Sequence, residues 1–425
     1  MNAKGKLLSI AVLLCSTCVF AADWPQYLGP DRDSTSKESG ILRSWSEESP
    51  RVLWSVPLGV GFGGPAVVDG KLYLLDRDEE VGDTLRCLDL SDGKELWTFA
   101  YDAPGSFMFP GSRTTPAVDG EYIYTVGPMG DLYCIDLNTH KPVWNKNIWK
   151  DFGGSDQLPK WGVTQNPLIY GDLLIVAPQT SEAGVVAYDK ATGELKWKST
   201  ALSGAVGYVS PALVKIDGED HLVMITASEG RGRSAAGGSV NGLDPLNGKV
   251  LWTYENWQCR IPVPHAVDAG ESRVLITGGY EAGAVMIQIA KKSDGTYEVK
   301  ELFKNGDFGA HTQPPILYKD HFYAQYTTNE RKDGIVCMSM DGQVQWKTGE
   351  NPAFVRGGSI LVDNLLLSVD GSTMLYLIEP NPTGFKPLAS AKLLEPGENW
   401  APLALVDGKL IIRDQKSLKC LAVGQ

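Results

Sequence analysis

The phrase DLSDGKELW, from Asp89 to Trp97, decides the fold because near copies of it recur along the chain. The copies are DLNTHKPVW (136–144), DKATGELKW (189–197) and DPLNGKVLW (244–252), and a shortened form, MDGQVQW, ends at Trp346. The terminal tryptophans of the four full phrases lie 47, 53 and 55 residues apart. A repeat of this length with short alternating strands is typical of a β-propeller that has one four-stranded sheet per repeat.

Each repeat opens with two apolar alternating strands across a tight turn, as in GPAVVDGKLYLLD (64–76). Eight such hairpins can be traced, and the eighth, APLALVDGKLIIRD (401–414), leaves room for only three strands. At the other end, RVLWSVPL (51–58) carries Trp54 with no repeat before it. We therefore predict an all-β, eight-bladed propeller of four-stranded antiparallel blades over residues 51–425, in which this N-terminal strand completes the last blade and closes the ring.

The recurring tryptophans are predicted to be structural. A large ring at the same outer-strand position of each repeat is expected to pack between neighbouring blades. The Asp and Gly of each phrase are turn residues. The tryptophans assigned to this blade-docking role are Trp54, Trp97, Trp144, Trp197, Trp252 and Trp346.

The first residues of the chain predict export. Lys4 and Lys6 precede the apolar run 7–14, and small residues follow near Ala21. This is the pattern of a secretory signal over residues 1–21, with an apolar run too short to span a bilayer. Residues 22–50 form a lead-in segment, and no later stretch is long and apolar enough for a membrane span. We expect a periplasmic or otherwise exported protein.

The charge of the chain bears on its binding partners, and the positions of its cysteines bear on disulfide formation. The chain has 39 basic and 51 acidic residues, a net charge of −12, with no basic stripe, so nucleic acid is not an expected partner. Four of the five cysteines beyond the signal, Cys87, Cys134, Cys337 and Cys420, occupy equivalent repeat positions. Equivalent positions in adjacent sheets are about 10 Å apart, too far for a disulfide, so all five, with Cys259, are expected to be free thiols. We expect a monomer.

The repeat, seen as DKATGELKW (189–197), resembles the pyrroloquinoline quinone (PQQ) repeat of quinoprotein alcohol dehydrogenases, and the lead-in ADWPQYLGPDRDSTSKESGIL (22–42) resembles the segment that precedes their propeller. The same repeat builds the non-enzymatic propeller of the outer-membrane barrel-assembly machinery. The resemblance to the enzymes implies PQQ held between a Trp and a disulfide of adjacent cysteines, and Ca²⁺ held by Glu, Asn and Asp. This chain has no adjacent cysteine pair, so no catalytic or metal-binding residue is assigned.

Candidate binding residues come from the connections that lead into the innermost strands, where irregular sequence is concentrated. Counting three residues back from each opening proline, or from Ser359 in the seventh repeat, gives one position per blade, and these positions should ring the mouth of the central channel. They are Phe62, Arg113, Thr164, Tyr208, Ile261, His311, Arg356 and Asn399, to which the neighbouring Trp400 is added. The acidic stretch DRDEEVGD (76–83) is predicted to be a surface loop on the same face.

Two interpretations of this ring remain open. Arg113 and Arg356 suggest an anionic or carbonyl-bearing ligand, or they satisfy loop carbonyls or pair with acids such as Asp307 or Glu398. His311 and His265 are expected to be structural. The favoured function is a non-catalytic scaffold that binds a protein or polysaccharide partner, without a cofactor. The alternative is a divergent PQQ-dependent oxidoreductase, which would need PQQ and Ca²⁺.

Overall fold

The computed structural model describes residues 23–45, 48–230, 236–329 and 331–425. The predicted signal at 1–21 lies outside these residues. Within them the chain forms eight sheets arranged as the blades of a propeller, and the predicted fold is confirmed. A short strand, β1 (Thr35–Ser36), and a 3-10 helix (Lys150–Phe152) are the additional elements.

Seven blades are built from consecutive antiparallel strands, the innermost first. Blades 1 and 2 contain β3 (Ala66–Val68), β4 (Lys71–Asp78), β5 (Gly82–Asp89) and β6 (Glu95–Asp102), then β7 (Ala117–Asp119), β8 (Tyr122–Val126), β9 (Asp131–Asp136) and β10 (Pro142–Asn147). Blades 3 and 4 contain β11 (Leu168–Tyr170), β12 (Leu173–Val176), β13 (Val186–Asp189) and β14 (Leu195–Lys198), then β15 (Ala212–Ile216), β16 (Glu219–Ile225), β17 (Val240–Leu243) and β18 (Val250–Tyr254).

The remaining blades follow the same order. Blades 5 and 6 contain β19 (Val267–Asp268), β20 (Arg273–Gly278), β21 (Gly283–Lys291) and β22 (Tyr297–Asn305), then β23 (Ile316–Tyr318), β24 (His321–Thr327), β25 (Lys332–Ser339) and β26 (Val344–Lys347). Blade 7 contains β27 (Ser359–Val362), β28 (Leu365–Val369), β29 (Met374–Ile378) and β30 (Pro387–Lys392). Blade 8 contains β31 (Ala404–Val406), β32 (Lys409–Arg413) and β33 (Ser417–Ala422), completed by β2 (Arg51–Pro57).

Strand β2 closes the ring, as was predicted from Trp54, which has no repeat before it. Strand β2 pairs antiparallel with β33, from Arg51 opposite Ala422 to Pro57 opposite Ser417. Trp54 lies opposite Cys420 next to a bulge, and its indole Nε1–H donates to Leu90 O of blade 1 at 2.8 Å. The strand therefore fills the outer edge of blade 8 and joins that blade to its neighbour.

Blades dock through the tryptophan of one blade and the turn of the next. Trp144 lies against Gly193, where an added Cβ would stand 2.6 Å from the indole Cδ2, and its Nε1–H donates to Lys190 O at 3.1 Å. Trp54 meets Gly93 and Trp197 meets Gly248 in the same way. These glycines have φ of 70° to 75°, a left-handed conformation that glycine adopts without steric cost.

Three of the assigned tryptophans have other partners. Trp97 stacks on His140, which takes the glycine position of the second phrase at φ 58°, with ring centroids 4.3 Å apart. Trp346 donates its Nε1–H to Asn381 O of blade 7 at 2.8 Å. Trp252 instead donates to His221 Nδ1 within its own blade, at 2.9 Å.

The lead-in segment forms a plug across one end of the propeller. Its residue Trp24 exchanges backbone hydrogen bonds at 2.8 Å with Val67 of β3, so the segment adds to blade 1. The buried Arg32 donates to Pro167 O of blade 3 at 2.9 Å and to Pro211 O of blade 4 at 3.2 Å. Strand β1 pairs parallel with β27 of blade 7, and Leu42 N–H donates to Val423 O of blade 8. We call this end of the propeller the plug face and the opposite end the loop face.

The five cysteines of the described chain are free thiols, as predicted. They are Cys87, Cys134, Cys259, Cys337 and Cys420, and all are buried. Burial raises the pKa of each thiol, for example to about 11 for Cys87 and about 12 for Cys134. They act as small apolar residues between sheets. Among the described residues no helix has the length and apolar character needed to cross a bilayer.

Candidate functional site: a cup on the loop face

The connections into the innermost strands converge on a cavity of about 180 Å³ at the loop face, which we call the cup. Its wall combines aromatic, cationic and neutral polar side chains from the connections of every blade. The lining residues are Tyr27, Phe62, Phe109, Arg113, Trp161, Thr164, Asn166, Tyr208, Ser210, Ile261, Val263, Tyr280, His311, Thr312, Gln313, Arg356, Trp400 and Pro402. Among the residues that the structure describes, none in this lining carries a carboxylate.

The backbone around the cup is tied together by a series of hydrogen bonds between blades. Gly64 N–H donates to Thr115 Oγ1 at 3.2 Å, Thr115 N–H donates to Asn166 Oδ1 at 2.7 Å, and Asn166 N–H donates to Ser210 Oγ at 2.9 Å. Each bond joins the second residue before one innermost strand to a side chain of the following blade. Buried polar groups of this kind fix the connections in place because leaving them unpaired would cost free energy.

The structure brings most of the sequence-derived ring together around the cup. Eight of the residues named from the sequence line it: Phe62, Arg113, Thr164, Tyr208, Ile261, His311, Arg356 and Trp400. Asn399 is not in the lining. It is buried, and its side-chain amide donates to Glu395 O at 2.9 Å and to Ser372 O, so it holds its own connection together.

The structure corrects the predicted position of Asn399, and the strand register of blade 8 explains the error. Ala404 pairs with Ile411 in blade 8 as Ala66 pairs with Tyr73 in blade 1. Leu403, not Pro402, therefore corresponds to Pro65, and Trp400 is the residue equivalent to Phe62. Counting three residues back from Pro402 therefore gave Asn399, one residue before the correct position.

Blade 6 shows the same displacement. Ile316 pairs with Tyr323, so Pro315 rather than Pro314 precedes the innermost strand, and Thr312 takes the position equivalent to Phe62. His311 still reaches the lining as its neighbour. A proline pair in the sequence cannot show which of its two members starts the strand.

Several lining residues were missed because they do not occupy a repeated position. Phe109 lies in the connection from blade 1 to blade 2, and Trp161 in the connection from blade 2 to blade 3. Tyr280 lies in the turn between β20 and β21, and Tyr27 belongs to the plug. The length of the connection from blade 2 to blade 3, residues 148–167, was the one available signal for Trp161, and the connection of Phe109 offered none.

Aromatic rings form two parts of the cup wall. Phe62 stacks on Trp400 with centroids 5.2 Å apart, and Phe109 lies 6.1 Å from Phe62 and 5.5 Å from Trp400. In the second part, Trp161 meets Tyr208 edge to face at 5.0 Å. Such ring contacts stabilise the wall beyond the area they bury, so the cup is shaped before a ligand enters.

Arg113 is a half-buried cation beside the aromatic wall. Its guanidinium donates to Phe109 O and lies 5.3 Å from the ring centroid of Phe107 and 6.0 Å from that of Phe62. Burial lowers the pKa of Arg113 to about 10, while the charge of Glu79 acts in the opposite direction. At neutral pH Arg113 is thus a desolvated cation. Its Nε is buried and has no hydrogen-bond partner among the described residues.

Arg356 packs on the other side of the ring. Its guanidinium lies 5.0 Å from the Trp400 ring centroid, and its Nη2 donates to Asn329 Oδ1 at 3.0 Å. Of the two acids considered from the sequence, Asp307 pairs with Arg331 at 2.8 Å instead. Burial raises the pKa of Glu398, and the charge of Arg356 opposes that effect. Arg356 therefore combines a structural role with a cationic face toward the cup.

The two histidines named from the sequence are both buried. His311 Nδ1 lies 3.0 Å from Thr327 O, and its ring meets Tyr280 edge to face at 4.7 Å. His265 Nδ1 lies 2.8 Å from Ala266 O, beneath Tyr27. Burial lowers the pKa of His265 to about 4, so this imidazole is neutral at physiological pH.

The stretch predicted as an acidic surface loop is largely a hairpin. Strands β4 and β5 pair as far as Asp78 opposite Gly82. Within it, Arg77 and Asp83 form a fully buried ion pair at 2.9 Å. Arg77 also donates to Ala103 O and Gly105 O at 2.7 and 2.8 Å, and so anchors the connection that carries Phe109 and Arg113. The run of charged residues predicted an exposed loop, and nothing in the sequence indicated that Arg77 and Asp83 form a buried ion pair.

The cup does not fit the Ca²⁺ and PQQ arrangement that the resemblance implied. Calcium is bound by several hard oxygen ligands, with carboxylates prominent among them, and the described residues of the lining include two guanidiniums and no carboxylate. In the part of the chain that the structure describes, no three His, Cys, Asp or Glu side chains are grouped to hold a metal ion. The sequence also has no adjacent cysteines.

With the fold and the cup described, the protein class is that of propellers built from PQQ-like repeats. The family model described as "Outer membrane protein assembly factor BamB" matches residues 35–155 and 81–348, and the chain belongs to this family.

Among curated relatives, the chain is 27% identical over 169 residues to a tetrathionate hydrolase of Acidithiobacillus ferrooxidans, covering 39% of this chain and 30% of the relative. It is 27% identical over 177 residues to a quinohemoprotein alcohol dehydrogenase of Comamonas testosteroni, covering 40% and 22%. It is 24% identical over 161 residues to the BamB of Shewanella oneidensis, covering 38% and 39%. The aligned region thus spans well under half the length of each of these relatives.

Solved structures of two kinds share the fold. A europium-containing methanol dehydrogenase superposes with a TM-score of 0.66 at 14% identity, covering 92% of this chain and 89% of that one. The BamB of Moraxella catarrhalis superposes with a TM-score of 0.55 at 14% identity, covering 88% and 100%. At these identities the likeness is one of fold.

Proposed function

We propose that this chain is an exported, non-catalytic propeller that binds a protein or polymer partner at the loop face. The observation that carries the proposal is the composition of the cup. Its wall has aromatic rings and two cations, Arg113 and Arg356, and no carboxylate among the residues that the structure describes there. Such a wall supplies binding contacts, but its described residues include no carboxylate that could serve as a general base. The BamB relatives, named as assembly factors, support a partner that is a protein.

A second candidate is a divergent quinoprotein oxidoreductase. It is favoured by the likeness to relatives named as alcohol dehydrogenases and by the fold of the methanol dehydrogenase. The side chains of the cup argue against it, because the described residues of the lining offer Ca²⁺ no carboxylate ligand.

Titration of the purified protein with PQQ and Ca²⁺, followed by dye-linked alcohol oxidation, separates the two candidates. We expect no stoichiometric PQQ binding and no substrate-dependent dye reduction. PQQ bound at one per chain, with dye reduction that depends on an alcohol, would reject the non-catalytic proposal.

A binding experiment tests the loop face directly. The double variant Arg113→Ala, Arg356→Ala should lose capture of a partner from a cell-envelope extract, since each charge-assisted hydrogen bond contributes roughly 1.5–3 kcal/mol. Arg51→Ala, at an exposed position of β2, is the matched control. Equal capture by both variants would show that the partner binds elsewhere.

A further inference from the structure

The cup is closed at its inner end by the plug. Tyr27 lines it from below, and under Tyr27 the guanidinium of Arg32, 5.7 Å from the Tyr27 ring centroid, is hydrogen-bonded to the backbone of blades 3 and 4. A ligand therefore enters and leaves by the loop face. A closed recess of this kind receives the end of a chain, whereas an open channel would let a polymer pass through.

The hydrogen-bonding groups of the lining favour a ligand that accepts hydrogen bonds. Arg113 and Arg356 each bring a guanidinium to the lining, and a guanidinium donates but cannot accept. In addition, Arg113 Nε and Trp161 Nε1 are buried donors without a partner among the described residues. A carboxylate, which only accepts, matches this surplus of donors better than sugar hydroxyls, which must also donate.

The size and polarity of the cup define the rest of the ligand. The volume of about 180 Å³ is slightly larger than the roughly 150 Å³ apolar cavity that holds a benzene molecule. Phe62, Phe109 and Trp400 provide an apolar wall on one side, and Trp161 and Tyr208 on the other. One large apolar side chain fills such a space, and its burial is favourable.

We propose, building on the binding function above, that the cup receives the C-terminal residue of a polypeptide, with an apolar side chain against the aromatic wall and its α-carboxylate toward Arg113 and Arg356. The carboxylate supplies the anion that two guanidiniums prefer, and the chain end suits a recess that is closed by the plug. The preceding residues of the partner leave through the mouth on the loop face.

The probe is a peptide of sequence Gly-Ser-Gly-Ser-Gly-Phe carrying an N-terminal fluorophore, prepared as the free acid and as the C-terminal amide. Fluorescence anisotropy with the full chain should show saturable binding of the acid and binding of the amide about ten-fold weaker or more, the loss expected for a charge-assisted bond. A third peptide that ends in Gly as the free acid should also bind about ten-fold weaker, because it leaves the aromatic wall unfilled.

Two protein variants assign the contacts. Arg113→Gln should weaken binding of the free acid about ten-fold while leaving the amide unchanged, and Arg51→Gln should change neither. If Arg113→Gln proves unfolded by circular dichroism, Trp161→Phe replaces it: this variant keeps the ring but removes the Nε1–H donor, and should weaken acid binding alone.

The outcomes separate this proposal from the proposed function. Equal binding of acid and amide, or no binding of any peptide at millimolar concentration, would overturn the chain-end proposal. If the double arginine variant still lost its envelope partner in that case, the binding function would stand with another ligand, such as an acidic oligosaccharide. PQQ-dependent dye reduction would overturn both proposals.

Discussion

His265 shows how a single buried residue makes the stability of the propeller depend on pH. Its ring lies beneath Tyr27, and burial lowers its pKa to about 4 from an ordinary value of 6.5. The unfolded chain therefore binds the proton more readily than the folded chain between these two values. The contribution of His265 to the free energy of unfolding is fully present above about pH 6.5, and it is lost as the pH falls toward 4.

We expect the free energy of unfolding to decrease by about 2 kcal/mol between pH 7 and pH 5 on account of His265 alone. Urea unfolding of the parent and of His265→Gln at both pH values measures it, because the variant should lack this part of the pH dependence. His321→Gln, which alters a less buried ring, is the control. A variant as sensitive to pH as the parent would show that another group is responsible.

The cysteines give a second prediction at this scale. The five thiols of the described chain are buried, and burial raises their pKa to about 11 or 12. Since the thiolate is the reactive form, a thiol reagent should react very slowly with the native protein. In denaturant without reductant, protein that lacks residues 1–22 should give five thiols per chain. A count of three would indicate a disulfide.

At the scale of the element, blade docking depends on the glycine that faces a tryptophan. Gly193 and Gly171 both have positive φ, 70° and 58°, but they differ in surroundings. A Cβ on Gly193 would stand 2.6 Å from Trp144 Cδ2, whereas a Cβ on Gly171 would meet nothing within 4 Å.

Replacing each glycine by alanine separates the cost of a left-handed backbone from the cost of disturbing the contact between blades. Gly171→Ala should destabilise the protein by about 1 kcal/mol, the cost of a left-handed alanine. Gly193→Ala should cost about 1–3 kcal/mol more, because the clash displaces the Trp144 ring. Denaturant unfolding of the two variants measures the difference, and equal values would mean that the blades dock without this contact.

The same elements show how far the sequence could be interpreted. The spacing of the phrases predicted the blades because the turn glycine and the tryptophan are fixed by contact between neighbouring sheets, as in Trp144 and Gly193. The ring of the cup was predicted to within one residue. The errors at Asn399 and in blade 6 arose because the proline used for counting is not the residue directly before the innermost strand, which is Leu403 in blade 8 and Pro315 in blade 6. Phe109 and Trp161 could not be predicted because their connections follow no repeat.

At the scale of the whole molecule, stability depends on the N-terminal segment. The closure by β2 was visible in the sequence through Trp54, but the plug was not. Its contacts rest on irregular backbone, with positive φ at Leu28, Arg32 and Ser34, and Arg32 donates to carbonyl groups far along the chain. Neither hydrophobic periodicity nor repeat spacing predicts contacts of this kind.

Two truncations test the separate roles of plug and closing strand. Deleting residues 23–45 retains β2 and should lower the melting temperature moderately, because it removes the plug while the ring stays closed. Deleting residues 23–57 should lower it much more, since β33 then has an unpaired edge and Gly93 loses Trp54. Differential scanning calorimetry compares them, and a longer truncation that melts like the parent would contradict the closure.

The pairing of β2 with β33 also determines when folding can finish. Arg51 is synthesised long before its partner Ala422, because the first seven blades lie between them in the sequence. Pairing between such distant segments is slow to form because a long loop must close first. The early strand must therefore wait, with Trp54 unburied, until blade 8 has emerged. A circular permutant that places β2 directly after β33 would shorten this delay, and should refold faster than the natural order of the chain.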